Sequence, residues 1–562
     1  MMHLAVGGLD LAVILVYLAG VVGIGCYAGF VRRRGGGEGS HYFLAGNTLT
    51  WPVIGLAMFA ANISTVHLVS LAEAAYKYGL VFGHFEWMAG FTLILLSLFF
   101  APLYLRSKVP TLPDFLERRF NRKCRDLLAV VSLFSAIVIH IGIALYTAAF
   151  VLRGILGLVP GSTVLGMDAL MFFIIALGVL TGIYTMLGGL LAVVWTESIQ
   201  TVLLLLGAIV ITVVAWNRLG GWEVLVATLA VKAHPLAGTA KDIPATTGNF
   251  LNMARDASDL SGLPWYSVIL GYPVLGIWYW CADQTIVQRV LAARDEKQAR
   301  LGPLFCAFLK ILPVFFFVLP GTICVALVQN NAFQGDGPAT AADTYTFMIT
   351  RLLPVGLKGL VTAAMLAAAM QTCSAALNST ATLFAYDIYK RWKPETTDHK
   401  LVVIGKITTV VATVLAIVWS PLLSHYNTIY DGLVRLVSYV SPPITAVFLI
   451  GVFWKKASGR GAYITMTSGA VFGAAMFVLD FAGYGVKDFM LTAFGMFLLC
   501  SVVLVVASRA FPERLKAEAE PLVWARWSES FEGDAGGRGL ADYRVLSAVV
   551  AVTFVILYAL VW

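Results

Sequence analysis

Seven ionisable side chains lie within long apolar stretches of this sequence, where a charge is costly to bury. On membrane-insertion scales each costs at least about 2.5–3.5 kcal/mol, so each is a candidate functional residue. They are His67, Glu73, Glu86, His140, Glu197, Asp283 and Lys310. We expect Glu73 and Asp283 to lie near the membrane interfaces, where snorkelling or a loop pair explains them.

Glu86 and Lys310 carry opposite charges on different predicted helices. Two interpretations stay open from the residues alone. The pair either ties two helices together as a structural ion pair, or contributes to a polar pocket that binds a hydroxylated or charged solute.

Two predicted helices contain residues that interrupt a regular helix. One carries the polar stretch Ala60–Ser64, and another carries Gly271, Pro273 and Gly276 just before the aromatic cluster Trp278–Trp280. Interrupted helices in corresponding positions of two halves indicate a transporter binding site. An unwound helix exposes carbonyl oxygens, which suit a hard cation such as sodium. A purely structural kink is the alternative for either helix taken alone.

A third group stands on one helical face, because its members are spaced i, i+3 and i+4. Ala368, Gln371 and Thr372 can offer a carbonyl, an amide oxygen and a hydroxyl to one ion. Small polar residues at this spacing also promote helix–helix packing, which is the alternative interpretation.

The elements that must position these residues are membrane-spanning helices. The chain has 562 residues, of which 59% are hydrophobic and only 12% charged, and its mean hydropathy is +0.84. This composition excludes an ordinary soluble enzyme. Runs of about 20 apolar residues can cross a bilayer. We predict fourteen such spans, at residues 10–30, 49–76, 82–105, 127–157, 169–187, 193–217, 265–288, 302–328, 357–386, 402–423, 431–452, 461–481, 489–510 and 545–562.

The positions of Lys and Arg predict the orientation in the membrane. With the N-terminus outside, 28 of the 39 basic residues fall on the cytoplasmic side and ten on the outer side. Both termini are therefore expected to be extracytoplasmic. The net charge of +8 lies beside membrane segments, so nucleic acid is not an expected partner. The loops 218–264 and 511–543 are too short to contain a catalytic core.

Several stretches of the chain resemble the sodium:solute symporter family, and within it the sodium/glucose cotransporter branch. They run in collinear order from about residue 42 to 456. The matching stretches are AANIS, GHFEWM, VPTLPDFLERRFNRK, LGGLLAVVWTESIQ, WYWCADQTIVQR, FLKILP, LNSTATLFAYDIYK and SPPITAVFLIGVFWKK.

The resemblance implies an all-α integral membrane fold of about 14 transmembrane helices. Its core is a 5+5 inverted repeat, LeuT-like, with broken helices at the midplane. We expect a first transmembrane helix and cytoplasmic loop in 1–48, a first repeat in 49–217, an extracytoplasmic loop in 218–264, a second repeat in 265–456, and three additional helices in 457–562.

The resemblance also implies a sugar site. His67 and Glu86 match residues that hydrogen-bond sugar hydroxyls, and Lys310 matches a lysine that contacts the sugar. Tyr279 matches the aromatic residue that stacks on the sugar ring as the inner gate, and Trp278 flanks it. A pyranose offers hydroxyls at its rim and C–H groups on its faces, which suits polar groups around an aromatic lid.

A sodium site is implied next to the sugar site. Asn62 matches an asparagine that steadies Tyr279. Sodium is expected between the carbonyls of Ala60, Ile63 and Ala368 and side-chain oxygens of the ninth predicted span.

The sequence departs from the family at several of these positions. Gln371 and Thr372 stand where the family has two adjacent serines, and Val434 stands where sugar transporters have a glutamine. His140 replaces the sugar-contacting asparagine or lysine of the fourth span. Glu197 matches an acidic residue, usually aspartate, near a further cation pathway.

We therefore expect sodium-coupled secondary active symport of a small polar solute, a sugar (hexose) or polyol, by alternating access. The expected partners are the solute, sodium and the lipid bilayer of the plasma or inner membrane, with the protein functional as a monomer and without catalytic residues. The alternatives are symport of an inositol, a monocarboxylate or a nucleoside, a proton-coupled or uncoupled carrier, and a membrane sensor of the same fold.

Overall fold

The structure is a computed structural model. It describes residues 7–31, 42–159, 161–239, 243–421, 429–484, 486, 488–532, 539 and 542–562. These residues are mostly helical, and the described strands are β1 (Thr163–Val164) and β2 (Met167–Asp168), which pair with each other antiparallel.

The helices of the first half precede the long loop that follows residue 231. They are α1 Gly8–Val31, α2 Trp51–Asn62, α3 Thr65–Tyr78, α4 His84–Leu95, α5 Ala101–Ser107, α6 Leu112–Arg119, α7 Arg122–Phe134, α8 Ile143–Ile155, α9 Ala169–Leu219 and α10 Trp222–Val231.

The helices of the second half follow that loop. They are α11 Trp265–Ile277, α12 Gln284–Leu291, α13 Glu296–Leu309, α14 Leu319–Gln329, α15 Thr344–Leu352, α16 Leu357–Leu383, α17 Lys390–Trp392, α18 Asp398–Trp419, α19 Ile429–Phe453, α20 Gly459–Leu479, α21 Phe489–Ala510 and α22 Tyr543–Val561.

Short π-helical segments join several of these helices into longer rods. Within the described chain they lie at Leu96–Phe100, Ser135–Gly142, Trp278–Ala282, Val314–Val318, Phe384–Tyr389 and Asp480–Tyr484. Such segments widen a helix by one residue per turn and occur often at functional sites. Two of them, at Ser135–Gly142 and Trp278–Ala282, contribute to the central cavity described below.

Among the described residues, eleven helical segments are long and apolar enough to cross a membrane. The prediction of a multi-pass all-α membrane protein is therefore confirmed. The predicted spans at 169–187 and 193–217 are two helices that follow one another directly within the range called α9, and a kink at Gly189 separates them. Gly189 has φ 61° and ψ −168°, a conformation that residues with a Cβ rarely adopt, and the Tyr42 carbonyl would lie 2.7 Å from such a Cβ.

The most deeply buried helix is α16, in which nearly every residue from Gly359 to Leu383 is buried. It packs against α9, α1 and α8, so its polar residues face other helices. Burial of this helix on all sides fixes the surroundings of Gln371 and Thr372 at the centre of the bundle.

One guanidinium joins three helical segments at the base of the bundle. Arg125 contacts the carboxylates of Asp114 at 2.9 Å, Glu117 at 2.7 Å and Asp387 at 2.7 Å. Asp387 also accepts a hydrogen bond from Thr111 at 3.0 Å. This network connects α6 and α7 to the π-helical end of α16.

Candidate functional site

A central cavity opens between the first interrupted helix, α4, the π-helical segments after α7 and α11, α16 and α19. Eight residues singled out from the sequence line it, together with Ser64, Phe85, Tyr272, Trp280 and several aliphatic side chains. The eight are Asn62, His67, Glu86, His140, Trp278, Tyr279, Thr372 and Val434.

The first helix interruption is at Ile63 and Ser64, as the sequence predicts. Both residues have extended backbone angles, and α3 begins at Thr65. The Ser64 amide bonds to Nδ1 of His67 at 3.3 Å instead of continuing the ladder to the carbonyl of Ala60. The Ala60 carbonyl therefore lacks its normal helical donor, which is the condition that exposes a backbone oxygen to a cation.

The same bond defines the protonation of His67. Its Nδ1 accepts from the Ser64 amide and also lies 3.2 Å from the Ser64 hydroxyl. A nitrogen that accepts carries no proton, so the hydrogen of this neutral imidazole is on Nε2. His67 lines the cavity and thus has one donor available to a ligand.

Glu86, Lys310 and Asn62 form a buried polar group at one side of the cavity. The Lys310 ammonium donates to the Glu86 carboxylate and to the side-chain oxygen of Asn62. Both charged side chains are 1% exposed. Lys310 also lies over the rings of Phe59 and Trp280, at 5.9 and 5.4 Å from their centroids.

Lys310 is not among the cavity-lining residues, unlike Glu86 and Asn62. This differs from the expectation of direct sugar contact. The physical reason is that an ammonium removed from water needs its carboxylate and amide partners, which here stand between it and the cavity. The ion pair therefore joins α4 to the end of α13, and its Glu86 forms part of the cavity wall.

Aromatic residues cover another side of the cavity. Tyr279 is edge-on to Trp280 at 5.2 Å and to Trp278 at 6.1 Å between ring centroids. Asn62 and Tyr279 both line the cavity. His140 lies 6.0 Å from the same tyrosine ring.

The second helix interruption is at Asp283, the residue that precedes α12. Pro273 lies inside α11, which continues past it. The Asp283 carboxylate caps α12 by accepting from the Thr285 amide at 2.7 Å, and its other oxygen lies 3.2 Å from Nε2 of His140. A capping Asp satisfies the exposed amides that begin a helix, so the chain breaks there instead of at the proline.

Thr372 connects the cavity to the first interruption. Its hydroxyl donates to the Ala368 carbonyl at 3.3 Å, and the side chain reaches the cavity. Thr65, the first residue of α3, donates to the Met365 carbonyl at 2.7 Å. These contacts hold the start of α3 against the part of α16 that carries Ala368 and Thr372.

Gln371 and Glu197 form a separate polar cluster behind α16. The Gln371 amide donates to the backbone carbonyl of Glu197 at 3.3 Å, and the Glu197 carboxylate pairs with Arg289 at 2.6 Å. All three side chains are fully buried. The candidate ion ligands of α16 therefore lie in two different places: Gln371 faces α9, whereas Thr372 faces the cavity.

Three further polar or aromatic residues line the cavity without having been predicted as ligands: Ser64, Tyr272 and Trp280. Tyr272 donates to the Phe85 carbonyl at 3.0 Å and so links α11 to the start of α4. The sequence did contain a signal for the role of Asp283 as a helix cap, because Asp followed by Gln-Thr after an aromatic run is a helix-start pattern.

Two interrupted helices meet at a cavity that has a polar wall and an aromatic wall. Such a cavity suits a small polar solute. This fold and site define a secondary transporter, which moves its ligands without covalent chemistry, and not an enzyme.

The comparisons with known proteins agree with this class. The model of the Sodium:solute symporter family matches residues 42–469. A sodium/glucose cotransporter of Vibrio parahaemolyticus is 35% identical over 477 residues, covering 83% of this chain and 84% of the relative. Sodium/glucose cotransporter 4 of Danio rerio is 32% identical over 530 residues, covering 89% and 78%.

Among solved structures, a Na⁺-coupled sialic acid symporter in a substrate-bound outward-open state superposes with a TM-score of 0.74. It is 22% identical and covers 91% of this chain and 100% of its own, which shows the fold. The family match spans most of the chain, and the relatives exceed 30% identity over most of their length. The chain belongs to the sodium:solute symporter family, and sodium is its coupling ion.

Proposed function

We propose that this protein couples sodium entry to the uptake of a hexose or a polyol by alternating access. The observation that carries the proposal is the composition of one cavity, whose lining combines the Glu86 carboxylate and the His67 imidazole with the rings of Trp278 and Tyr279. Polar groups that bind hydroxyls beside an aromatic face that covers C–H groups are the requirements of a sugar or polyol. The two sodium/glucose relatives support the same solute class.

Each cavity residue has a proposed role. Nε2–H of His67 donates to a solute hydroxyl, and the Glu86 carboxylate accepts from one. Lys310 acts through Glu86 by compensating the charge of that carboxylate. Tyr279 stacks on the solute, Trp278 flanks it, and His140 contacts its edge.

The proposed sodium site lies at the first helix interruption. Its ligands are the carbonyls of Ala60, Ile63 and Ala368 and the hydroxyl of Thr372. The unpaired Ala60 carbonyl and the contact between Thr372 and Ala368 support this assignment. Gln371 and Glu197 are assigned to a further cation pathway behind α16, where the Gln371 amide oxygen and one Glu197 oxygen have no hydrogen-bond partner among the described residues.

Sodium supplies an adequate driving force for uptake. One sodium ion moving down a potential of about 100 mV and a roughly tenfold gradient releases about 3.7 kcal/mol, which supports several-hundredfold accumulation of a neutral solute. Coupling requires that sodium and solute raise each other's affinity, as linked sites do.

We further propose the topology given by the resemblance. Fourteen spans cross the lipid bilayer, with both termini extracytoplasmic and the protein acting as a monomer. The two five-helix repeats comprise 49–217 and 265–456, preceded by 1–48, separated by the loop 218–264 and followed by three helices in 457–562. Of the charges used for orientation, Arg32–Arg34, Lys241, Lys487 and Arg538 lie outside the described residues.

Uptake into proteoliposomes tests this proposal. Radiolabelled hexoses, polyols, monocarboxylates and nucleosides are each offered with an inward gradient of sodium or of choline. We expect accumulation of a hexose or polyol only with sodium. Uptake that is equal in choline, or that follows a proton gradient instead, would contradict sodium coupling through the proposed site.

A second solute class within the same mechanism has support from one residue. Val434 lines the cavity where the resemblance expects glutamine, so one hydrogen-bonding group for a hexose is missing. A cyclic polyol such as an inositol is therefore the second candidate. Preference for inositol over hexoses in the uptake panel would identify it.

A further inference from the structure

A second large cavity lies on the outer face of the helix bundle, between α7 with its π-helical extension on one side and α19 and α20 on the other. We call it the lateral groove. Its volume is about 470 Å³, and its lining is apolar along almost its whole length. Phe134, Val440, Met466 and Phe477 are typical of the residues that form it.

The groove faces the hydrocarbon region of the membrane. Val130 and Phe134 of its lining are 60% and 51% exposed, and they lie within a helical segment apolar enough to cross a bilayer. From Leu127 to Ile143 the lining extends about 24 Å along the helix at 1.5 Å per residue. This exceeds half of a hydrocarbon core of about 30 Å, which is the depth of one leaflet. The groove is thus long enough for a complete acyl chain.

A positive charge marks one end of the groove. Lys123 lies one helical turn before Leu127, on the same face of α7, and its ammonium is 5.4 Å from the centroid of Tyr463 on α20. Tyr463 in turn is three residues before Met466 of the groove lining. Lys123 is exposed, and no carboxylate of the described residues forms an ion pair with it.

The acidic residues near this end already have basic partners. Asp126 pairs with Arg391 and with Arg122, the latter at 3.9 Å. Glu513 is 3.8 Å from Arg460 and accepts from the Gly459 amide at 2.8 Å. The Lys123 ammonium therefore remains available to an anion from outside the chain.

The groove and the central cavity share a wall. Ile143 lines both, and the adjoining residues Ile139 and Val437 line the cavity whereas Val138 and Leu436 line the groove. A molecule in the groove therefore contacts the same helical segments that contact the solute.

We propose that the lateral groove binds a phospholipid with an anionic headgroup. One acyl chain fills the apolar groove between α7, α19 and α20, and the headgroup phosphate contacts Lys123. Three observations combine in this assignment. The lining of the groove is apolar, its length exceeds the depth of one leaflet, and a lysine without an ion-pair partner among the described residues lies at one end. A zwitterionic lipid offers the same chain, so the charge of the headgroup is the specific part of the proposal.

Photo-crosslinking of the full-length protein in lipid nanodiscs tests it. The probes are phosphatidylglycerol and phosphatidylcholine that carry the same diazirine-labelled acyl chain, and labelled peptides are mapped by mass spectrometry. We expect phosphatidylglycerol to label peptides containing Phe134 and Met466 severalfold more than phosphatidylcholine does. Lys123→Gln is expected to remove this preference, whereas Lys516→Gln, at another exposed lysine of the chain, keeps it.

A second pair of variants tests the position of the chain. Ala474→Trp places a large side chain in the groove and is expected to reduce labelling of both peptides severalfold. Val471→Trp, on the same helix but outside the lining, is the matched control and keeps the labelling. Equal labelling by the two lipids, a preference that survives Lys123→Gln, or labelling unchanged in a folded Ala474→Trp would each overturn the proposal. Because Lys123 is exposed, its variant tests the proposal even if Ala474→Trp does not fold.

Discussion

The imidazole of His140 lies 3.2 Å from the carboxylate of Asp283, although 143 residues separate them in the sequence. The first stands on the π-helical segment between α7 and α8, and the second is the residue at which the rod of α11 breaks before α12. His140 lines the central cavity, and both residues are less than 10% exposed. One hydrogen bond therefore connects the second helix interruption to a residue that lines the cavity.

Asp283→Asn is expected to raise the KM for solute without unfolding the protein. Asparagine caps a helix about as well as aspartate, so stability should change by less than about 0.5 kcal/mol. The loss of negative charge weakens the contact that orients His140, so affinity for solute falls. Uptake kinetics and thermal unfolding of the purified protein measure the two effects separately.

The matched control is Asp295→Asn, which alters the same type of cap on α13. Asp295 accepts from the Gln298 amide at 2.9 Å and is not part of the cavity lining. It should change neither KM nor stability. An unchanged KM in Asp283→Asn would show that the contact with His140 has no part in solute binding.

Lys310→Met is expected to abolish uptake and to destabilise the protein. Removing one partner of a buried ion pair typically costs about 3–5 kcal/mol, because Glu86 is left as an uncompensated charge. The double variant Lys310→Met with Glu86→Gln removes both charges and should recover most of the stability. The double variant should still show no uptake, because the solute loses the Glu86 carboxylate as its hydrogen-bond acceptor. Uptake restored in the folded double variant would mean that the pair is only structural.

Thr372→Ala is expected to raise the half-saturating sodium concentration roughly tenfold, equivalent to about 1.4 kcal/mol of ion binding. Thr372→Ser keeps the hydroxyl and should retain near-normal sodium dependence. Thr380→Ala on the same helix is the control, because its buried hydroxyl bonds to the Ala376 carbonyl and does not reach the cavity. Sodium titrations of solute uptake measure all three. A larger effect on the choice of solute than on sodium would place the ion elsewhere.

His234 makes the stability of the loop after α10 depend on pH. Burial lowers the pKa of His234, and the contact of its Nε2 with the Tyr76 carbonyl at 2.8 Å only partly opposes this. Its Nδ1 accepts from the Leu236 amide at 3.0 Å, so the folded form needs a neutral ring. The unfolded chain therefore binds the proton more strongly, and protonation favours unfolding.

The free energy of unfolding should accordingly be constant above the unfolded pKa of about 6.5 and fall as the pH decreases below it. Thermal unfolding between pH 5 and pH 8 measures this dependence. His234→Gln should reduce it, and His399→Gln, at an exposed histidine, should not. A dependence that survives His234→Gln would assign it to other groups.

Local patterns predicted the first interruption, because the polar run Ala60–Ser64 contrasts with apolar neighbours in a single helix. The same reasoning placed the second interruption near Pro273, ten residues before its position. A proline within a helix is visible in a sequence. The capping carboxylate that ends the rod is effective only because α12 is packed where Asp283 can reach the Thr285 amide.

The partners of buried charges were harder to predict than their positions. Glu86 and Lys310 were recognisable as a pair because opposite charges in apolar helices need compensation. Lys310 is separated from the cavity by its partners Glu86 and Asn62. This position depends on the rotation of α13 about its axis, which one sequence does not specify. Glu197 was identified as a candidate, but its pairing with Arg289 joins residues 92 positions apart.

The bond between the Ser64 amide and His67 has one more consequence. The donor that leaves the Ala60 carbonyl unpaired is the same donor that holds the imidazole in place. A ligand that accepts a hydrogen bond from Nε2–H of this ring increases the electron density on Nδ1. The hydrogen bond between Nδ1 and the Ser64 amide then becomes stronger. Two binding events a few ångströms apart would then communicate through one shared peptide group, with no need for a long-range relay through the bundle.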